Sequence, residues 1–325
     1  MDVRGRSAEE RKPPARARAM QHVLVVADQD KEVVRQFEER LRPWLEARVE
    51  RVDFRGDTRE LVRERLALSP EQAGRDLPGL VVVLGGDGAI LGVVRAYADH
   101  PVPTIGINFG RVGFLASVPS GHWREALEPT LRGQAPVEPR MRLEARLDGA
   151  GGAPVGAVAL NDVVVARGAT QGMLTVGLYV DGDWVTDYRA DGLILATPSG
   201  STAHSLSAGG PILFPAMDAI VVTPICPQGL SYRPIVLRDS SRLEVVVQSS
   251  AGITTLAIDG QGFFPMHEGD RVRIQRHPVP YPLLSWEGLD PYRRLRERLG
   301  WSGVLAPAPA PPRGAHSDAG HGGVL

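Results

Sequence analysis

The chain has 325 residues, about two domains by length, with 43% hydrophobic residues, 23% charged residues and a formal net charge of -1. That balance provides no global field for nucleic acid or an anionic membrane surface, and no apolar run is long enough to span a bilayer. A single cysteine, Cys226, excludes an internal disulfide framework and a cysteine-rich zinc site, and it fits a reducing cytoplasm.

Residues 1–20 are polar, charged and carry Pro13-Pro14, so they are expected to be disordered, with Met20 the expected natural start. Residues 22–27 (HVLVVA) read as a buried strand. The apolar positions Val33, Val34, Phe37, Leu41, Trp44 and Leu45 follow at helical spacing over 29–47, where Pro43 is expected to kink or divide the helix. A strand over 49–54 and a helix over 58–68 come next. Residues 80–84 (LVVVL) read as a strand buried on both faces, and they run into Gly85-Gly86-Asp87-Gly88. A helix from about Ala89 to Tyr97 and a strand over 102–108 complete a strand–helix rhythm that means a parallel sheet covered by helices.

The texture changes near residue 140. From 141 to 276 short valine-rich runs alternate with Gly, Asp and Pro, which predicts antiparallel sheets in a sandwich-like arrangement, with Asp181-Gly182 as a hairpin turn. Residues 286–300 predict a closing helix with Tyr292, Leu295 and Leu299 on one face, and a Pro/Gly-rich tail over 303–325 is expected to be disordered. The expected organisation is an extension over 1–20, a Rossmann-like α/β domain over 21–140, a β-rich domain over 141–277, a segment over 278–302 that returns to the α/β domain, and the tail.

Of the 37 basic residues only Lys12 and Lys31 are lysines. A P-loop or Schiff-base lysine downstream is therefore excluded, and a phosphate must be held by arginine, backbone N–H groups or a metal ion. Neither G-x-x-x-x-G-K-[ST] nor G-x-G-x-x-G occurs, and the histidines never fall at metal-ligand spacing. The GGDG turn, at the carboxyl end of a buried strand, sits where open α/β sheets bind ligands; an ordinary tight turn is the alternative. A second stretch, 187–211, has Ser or Thr at 197, 199, 201, 202, 205 and 207, with a helix expected to open at Thr202. Hydroxyls at a helix N-terminus suit a phosphate-bearing ligand, and a ligand-free cap is the alternative. Asn161-Asp162 interrupts the apolar run ALNDVVV, and a local Asx turn is the bland reading. Arg189 with Asp191 reads alone as a surface ion pair, residues 258–261 as a hairpin turn, and Cys226 as a small buried hydrophobe.

Together these blocks resemble the bacterial NAD kinases, GGDG-type kinases that phosphorylate the 2′-hydroxyl on the adenosine ribose of NAD. The resemblance runs from about residue 22 to 301. It rests on GGDG at 85–88, GINFGRVGFL at 106–115, ALNDVVV at 159–165, YRADGLILATPSGSTAHSLSAGGP at 188–211, TPICPQGLSYRPIV at 223–236 and DGQ at 259–261. GGDG alone is shared with lipid kinases and phosphofructokinases; its combination with the 188–211 block is specific.

The resemblance implies Asp87 as proton acceptor, among the nucleotide-binding Gly85, Gly86 and Gly88. It makes Asn161 and Asp162 contacts to the NAD ribose and adenine. Thr202, Ala203, His204, Ser205, Leu206 and Ser207 form the nucleotide-binding loop, and Arg189, Asp191 and Gln261 are further dinucleotide contacts, some supplied across a subunit interface. It implies NAD and ATP as ligands, Mg²⁺ with the ATP, no residue that holds a metal by itself, no nucleic acid or membrane partner, a homodimer or homotetramer, and a cytoplasmic setting. The chain departs from the family at Ala89, which stands for Thr, His204 for Tyr, Gln228 for His, and Ser199 for Thr. Two competing readings are a GGDG-type lipid or sugar kinase and a dinucleotide sensor that has lost activity.

Overall fold

A computed structural model describes residues 21–110, 113–148, 155–168, 172–229, 231–286 and 291–301. The expectations for 1–20, Met20 and the 303–325 tail lie outside these residues.

The first half alternates strands and helices: β1 (His22–Ala27), α1 (Glu32–Glu46), β2 (Arg51–Arg55), α2 (Thr58–Leu66), α3 (Pro70–Ala73), β3 (Leu80–Leu84), α4 (Asp87–Ala96), β4 (Thr104–Asn108), β5 (Val118–Pro119) and α5 (Trp123–Leu131). The second half is β-rich: β6 (Val137–Arg140), β7 (Leu143–Asp148), β8 (Val155–Ala159), β9 (Asp162–Arg167), β10 (Leu174–Val180), β11 (Asp183–Ala190), β12 (Gly192–Ala196), the one-turn α6 (His204–Ser207), β13 (Ala219–Ile225), β14 (Ile235–Arg238), β15 (Leu243–Ser250), β16 (Thr254–Ile258), β17 (Gly262–Met266), β18 (Arg271–Arg276) and β19 (Tyr281–Leu284), before the closing helix α7 (Pro291–Leu299).

The first sheet has the order β2-β1-β3-β4-β19-β6, with β5 beside β4. Its central pairs are parallel, and only β6 runs antiparallel, against β19. Every residue of β3 is fully buried, because α1 and α5 cover one face of the sheet and α2 and α4 the other. Strand order reverses between β1 and β3, so the carboxyl end of β3 opens at a topological switch point.

The other two sheets are antiparallel, β11-β10-β15-β18-β7-β8 and β14-β13-β12-β9-β16-β17. They stack face to face on a core of alternating residues such as Val163, Val165, Leu193, Leu195, Val245 and Ile274. The hairpin at Asp181-Gly182 has φ of +54° and +95°, as a two-residue turn joining twisted strands requires.

The structure differs from four sequence expectations. Pro43 does not divide α1, which continues to Glu46, because Leu41 and Leu45 on either side are fully buried and hold the helix to the sheet. The helix after the glycine turn begins at Asp87 rather than Ala89. Cys226 is exposed with φ +46°, since β13 ends at Ile225 and the chain turns out of the sheet into Pro227. Tyr292 is 58% exposed, and the residue that α7 turns inward is Arg294, at 7%.

Candidate active site

Asp87 is the first residue of α4, and Gly86 in extended conformation precedes it as N-cap. The residue is half-buried. Its Oδ1 accepts hydrogen bonds from the N–H groups of Leu115 (3.0 Å) and Ala116 (2.9 Å), and its Oδ2 accepts one from Phe114 (2.9 Å). The loop that follows β4 therefore wraps round the carboxylate. A carboxylate has about four lone-pair sites, so Oδ1 is filled and Oδ2 keeps one free.

Asn161 and Asp162 lie at the mouth of β9, both buried. Their backbone N–H groups, with that of Leu160, converge on the carboxylate of Asp259, at 2.7, 3.0 and 2.8 Å. Asp259 reaches them from the β16–β17 turn, where φ is +51°. The side-chain oxygen of Asn161 is buried and has no hydrogen-bond partner, a costly state that a donor on a ligand would relieve. Burial, and secondly the charge of Asp259, pushes the Asp162 carboxyl up to about 7. Burial also raises Asp259, to about 6, against its three N–H bonds, which favour the charged form.

The hydroxyl-rich loop packs directly on Asn161. Thr197 donates its N–H to the Asn161 carbonyl (2.8 Å) and its hydroxyl to that of Leu160 (2.6 Å). A Cβ on Gly200 would lie 2.0 Å from the Asn161 carbonyl oxygen, so only glycine lets the two segments come this close. The expected helix at Thr202 is instead a 3₁₀ turn (Gly200–Thr202) followed by the single turn α6. Gly209, at φ +85°, ends it, and no helix long enough to present a dipole to a phosphate is formed. Thr202, Ala203 and Leu206 are half-buried, while His204 and Ser207 are exposed. Ser205 is fully buried and its hydroxyl pairs with that of Thr223 at 2.8 Å.

Three hydrogen bonds join the walls of this cleft. Gln261 donates its amide to the carbonyl of Gly88 (2.9 Å), and Arg95 of α4 donates to the carbonyl of Gln261 (2.7 Å). Arg140, at the end of β6, donates to the hydroxyl of Ser199 (3.2 Å) and pairs with Glu138. Phe114, Arg140, Ser199, Thr202 and Arg294 line a small cavity of about 40 Å³ between the Asp87 wall and the hydroxyl-rich wall. A larger cavity of about 970 Å³ takes in Asp259, Gln261, Arg95 and Phe264, but its lining does not include Asp87.

The structure thus brings together Gly85 to Gly88, Asn161, Asp162, Thr202 to Ser207 and Gln261. It does not bring Arg189 and Asp191 to them. In the β9–β12 register Ala196 sits opposite Asp162 and Gly192 opposite Ala166, so Asp191 is one strand length, about 20 Å, from the Thr197 end. There Asp191 pairs with Arg167 (2.6 Å), and the N–H of Gln228 bonds the carbonyl of Arg189. The sequence reading assigned no role at the site to Asp259, taken as a turn residue, to Gly113, or to Arg140 and Arg294. Asp259 carried a signal, since it stands in the DGQ block; the arginines carried none. Among the described residues no group of three or more His, Cys, Asp or Glu gathers to hold a metal ion, and no helix is long and apolar enough to cross a membrane.

Residues 23–135 match the ATP-NAD kinase N-terminal domain, and residues 160–285 match the ATP-NAD kinase C-terminal domain. The NAD kinase of Rhodopirellula baltica is 43% identical over 227 residues, which cover 70% of this chain and 73% of that protein. The NAD kinase of Nitrosomonas europaea is 43% identical over 238 residues, 73% of this chain and 80% of that one. Among solved structures, yeast NADH kinase complexed with NADH superposes with a TM-score of 0.72 at 26% identity, over 89% of this chain and 90% of that one. An NAD kinase from Archaeoglobus fulgidus in complex with ATP superposes with a TM-score of 0.66 at 26% identity, over 86% of this chain and 97% of that one.

Proposed function

The chain belongs to the NAD kinase family, and from that membership we propose how its residues carry the reaction, transfer of the terminal phosphoryl of ATP to the 2′-hydroxyl of the adenosine ribose of NAD. The observation that carries the assignment is the Asp87 carboxylate, fixed by three N–H groups with one lone pair left on Oδ2. As the ribose oxygen bonds to phosphorus, its proton passes to that lone pair; the bond from phosphorus to the β,γ-bridging oxygen breaks and ADP leaves. Base assistance of this kind is worth about 10² to 10⁴-fold. Because Asp87 is held by backbone, its rotamer is set before substrate arrives, and positioning supplies much of the remainder.

The Asn161 side-chain oxygen and the Asp162 carboxyl next to it take hydroxyl or amine donors of the NAD ribose and adenine, a reading supported by the burial of both and by the unpartnered Asn161 oxygen. His204, exposed at the start of α6, offers a flat ring for stacking. Mg²⁺ would enter with the phosphates of ATP, as part of the substrate. The metal neutralises phosphate charge that no lysine of the chain's last 294 residues can, Lys31 being the final one.

Arg189 and Asp191 serve the site of a second copy. Support comes from their separation, about one strand length, from the Thr197 end of β12, where the hydroxyl-rich loop begins. A homo-oligomer, dimer or tetramer, in the cytoplasm is the assembly and setting that this arrangement and the single cysteine support.

The test is NADP formation from NAD and Mg·ATP, read by coupling to an NADP-specific glucose-6-phosphate dehydrogenase. The parent protein should give signal, and Asp87→Asn should lose about 10² to 10⁴-fold in kcat. Near-normal turnover in that variant removes the base assignment; absence of NADP with the parent removes the reaction.

A further inference from the structure

Arg294 is an unusual residue to find inside a cleft. It comes from α7, at the far end of the chain, and is 7% exposed. Its Nη1 donates to the carbonyl of Phe114 at 3.2 Å, and its Nε is buried without a partner. Burial holds its pKa below the usual arginine range, with Glu138 and then Asp87 opposing that shift. A buried guanidinium that makes so few hydrogen bonds is a poor stabilising device; an apolar side chain of the same size would fill the space without the desolvation cost.

The contact it does make has a specific consequence. The Phe114 carbonyl and the Leu115 N–H belong to one trans peptide plane and point in opposite directions. Arg294 holds the carbonyl end of that plane, and Asp87 Oδ1 accepts from the N–H end at 3.0 Å. Fixing one end aims the other. The plane also polarises in series, so a cation on the oxygen strengthens the N–H as a donor. The helix that carries Arg294 spans both walls of the cleft. Arg298 lies over the Phe114 ring at 5.6 Å, and Tyr292 meets Phe214 of the other wall at 5.3 Å.

We propose that Arg294 is a positioning residue for the phosphoryl transfer, orienting Asp87 through the Phe114–Leu115 peptide. The inference rests on the reading of Asp87 as proton acceptor. It makes the closing helix part of the catalytic apparatus, although no residue of α7 is placed on substrate.

Steady-state kinetics of Arg294→Met and Arg294→Lys decide it, alone and combined with Asp87→Asn, each checked by circular dichroism. Met fills the same volume without a donor, and Lys keeps a donor. The expected order of kcat is parent, then Lys, then Met, with Met down about 10- to 100-fold while KM for NAD stays within about threefold. Arg294→Met should cost nothing further in the Asp87→Asn background, because both act on one path. A kcat within about threefold of the parent in folded Arg294→Met overturns the proposal. So does a loss carried by KM, or an added loss on top of Asp87→Asn. If the Met variant does not fold, the same cycle is run with Lys, whose loss must vanish in the Asp87→Asn background. Full activity of Asp87→Asn alone marks the failure of the base assignment instead.

Discussion

Gly113 lies directly beneath Asp87: a Cβ built on it would sit 1.9 Å from Oδ1 and 2.6 Å from the carboxyl carbon. No side chain, even a methyl, fits there without moving the carboxylate or the loop that binds it. Gly113→Ala should therefore lower kcat by about 10- to 100-fold, because a misplacement of 1 Å carries that cost. KM for NAD should stay within about threefold, since Asn161, Asp162 and the hydroxyl-rich loop are untouched. Paired kcat and KM measurements check it, and a proportional rise in KM would show that Gly113 shapes substrate binding instead.

That relationship also shows what the sequence could and could not disclose. Residues 80–84 were legible because five consecutive apolar residues have one economical home, a strand covered on both faces. Asp87 stood out because it ends that strand among glycines. Its binding partners, 114–116, lie in a separate stretch of chain, and nothing in composition says that two glycine-rich turns enclose one another. Asp259 is the same case at longer range: it read as a turn residue, which it is, but the positive-φ turn aims its carboxylate at backbone about a hundred residues earlier. Helical periodicity placed Tyr292 inside and left Arg294 out, because it assumes an apolar neighbour. At Arg294 the neighbours are the Phe114 carbonyl and the charges of Glu138 and Asp87, which suit a guanidinium, while Tyr292, exposed, meets the Phe214 ring instead.

His204 is exposed at the start of α6 and forms one edge of the hydroxyl-rich loop. If its ring stacks on NAD, His204→Ala removes contact that exists only in the complex. KM for NAD should rise about 5- to 10-fold, about 1 kcal/mol, with kcat within about twofold. His204→Tyr, with a larger face, should lower KM below that of the parent. An unchanged KM in both variants would separate His204 from the dinucleotide.

Asp191 lies about one strand length, about 20 Å, from the Thr197 end of β12 where the hydroxyl-rich loop begins, which is the ground for assigning it to the site of a second copy. Asp191→Ala and Asp87→Asn should each be nearly inactive as pure oligomers. Unfolded together and refolded as a mixture, they should regain activity, up to about a quarter of parent sites in a random dimer, because some interfaces combine an intact Asp87 with an intact Asp191. Absence of recovery, with mixed oligomers verified by native mass spectrometry, would place Asp191 in its own chain's site or in structure alone.

Asp162 gives the prediction with the clearest sign. Its carboxyl is 4% exposed and pushed up to about 7 by burial and by Asp259, whereas in the unfolded chain it titrates in the ordinary range near 4. Between those values the folded protein binds the extra proton, so this group's contribution to stability falls as pH rises and is fully unfavourable above about 7. Asp162→Asn removes the charge while keeping the shape. In the absence of NAD it should raise the unfolding free energy at pH 8 by about 1–3 kcal/mol relative to parent, and the difference should shrink towards zero near pH 4. The same substitution removes an anionic acceptor for ribose hydroxyls, so KM for NAD should rise about tenfold or more. Denaturant unfolding at pH 5 and pH 8 checks the first claim, and a variant no more stable than parent at pH 8 would show that Asp162 is not held against its charge. Stability and NAD binding should thus move in opposite directions at one carboxyl, which is what a group kept for its ligand rather than for the fold must do.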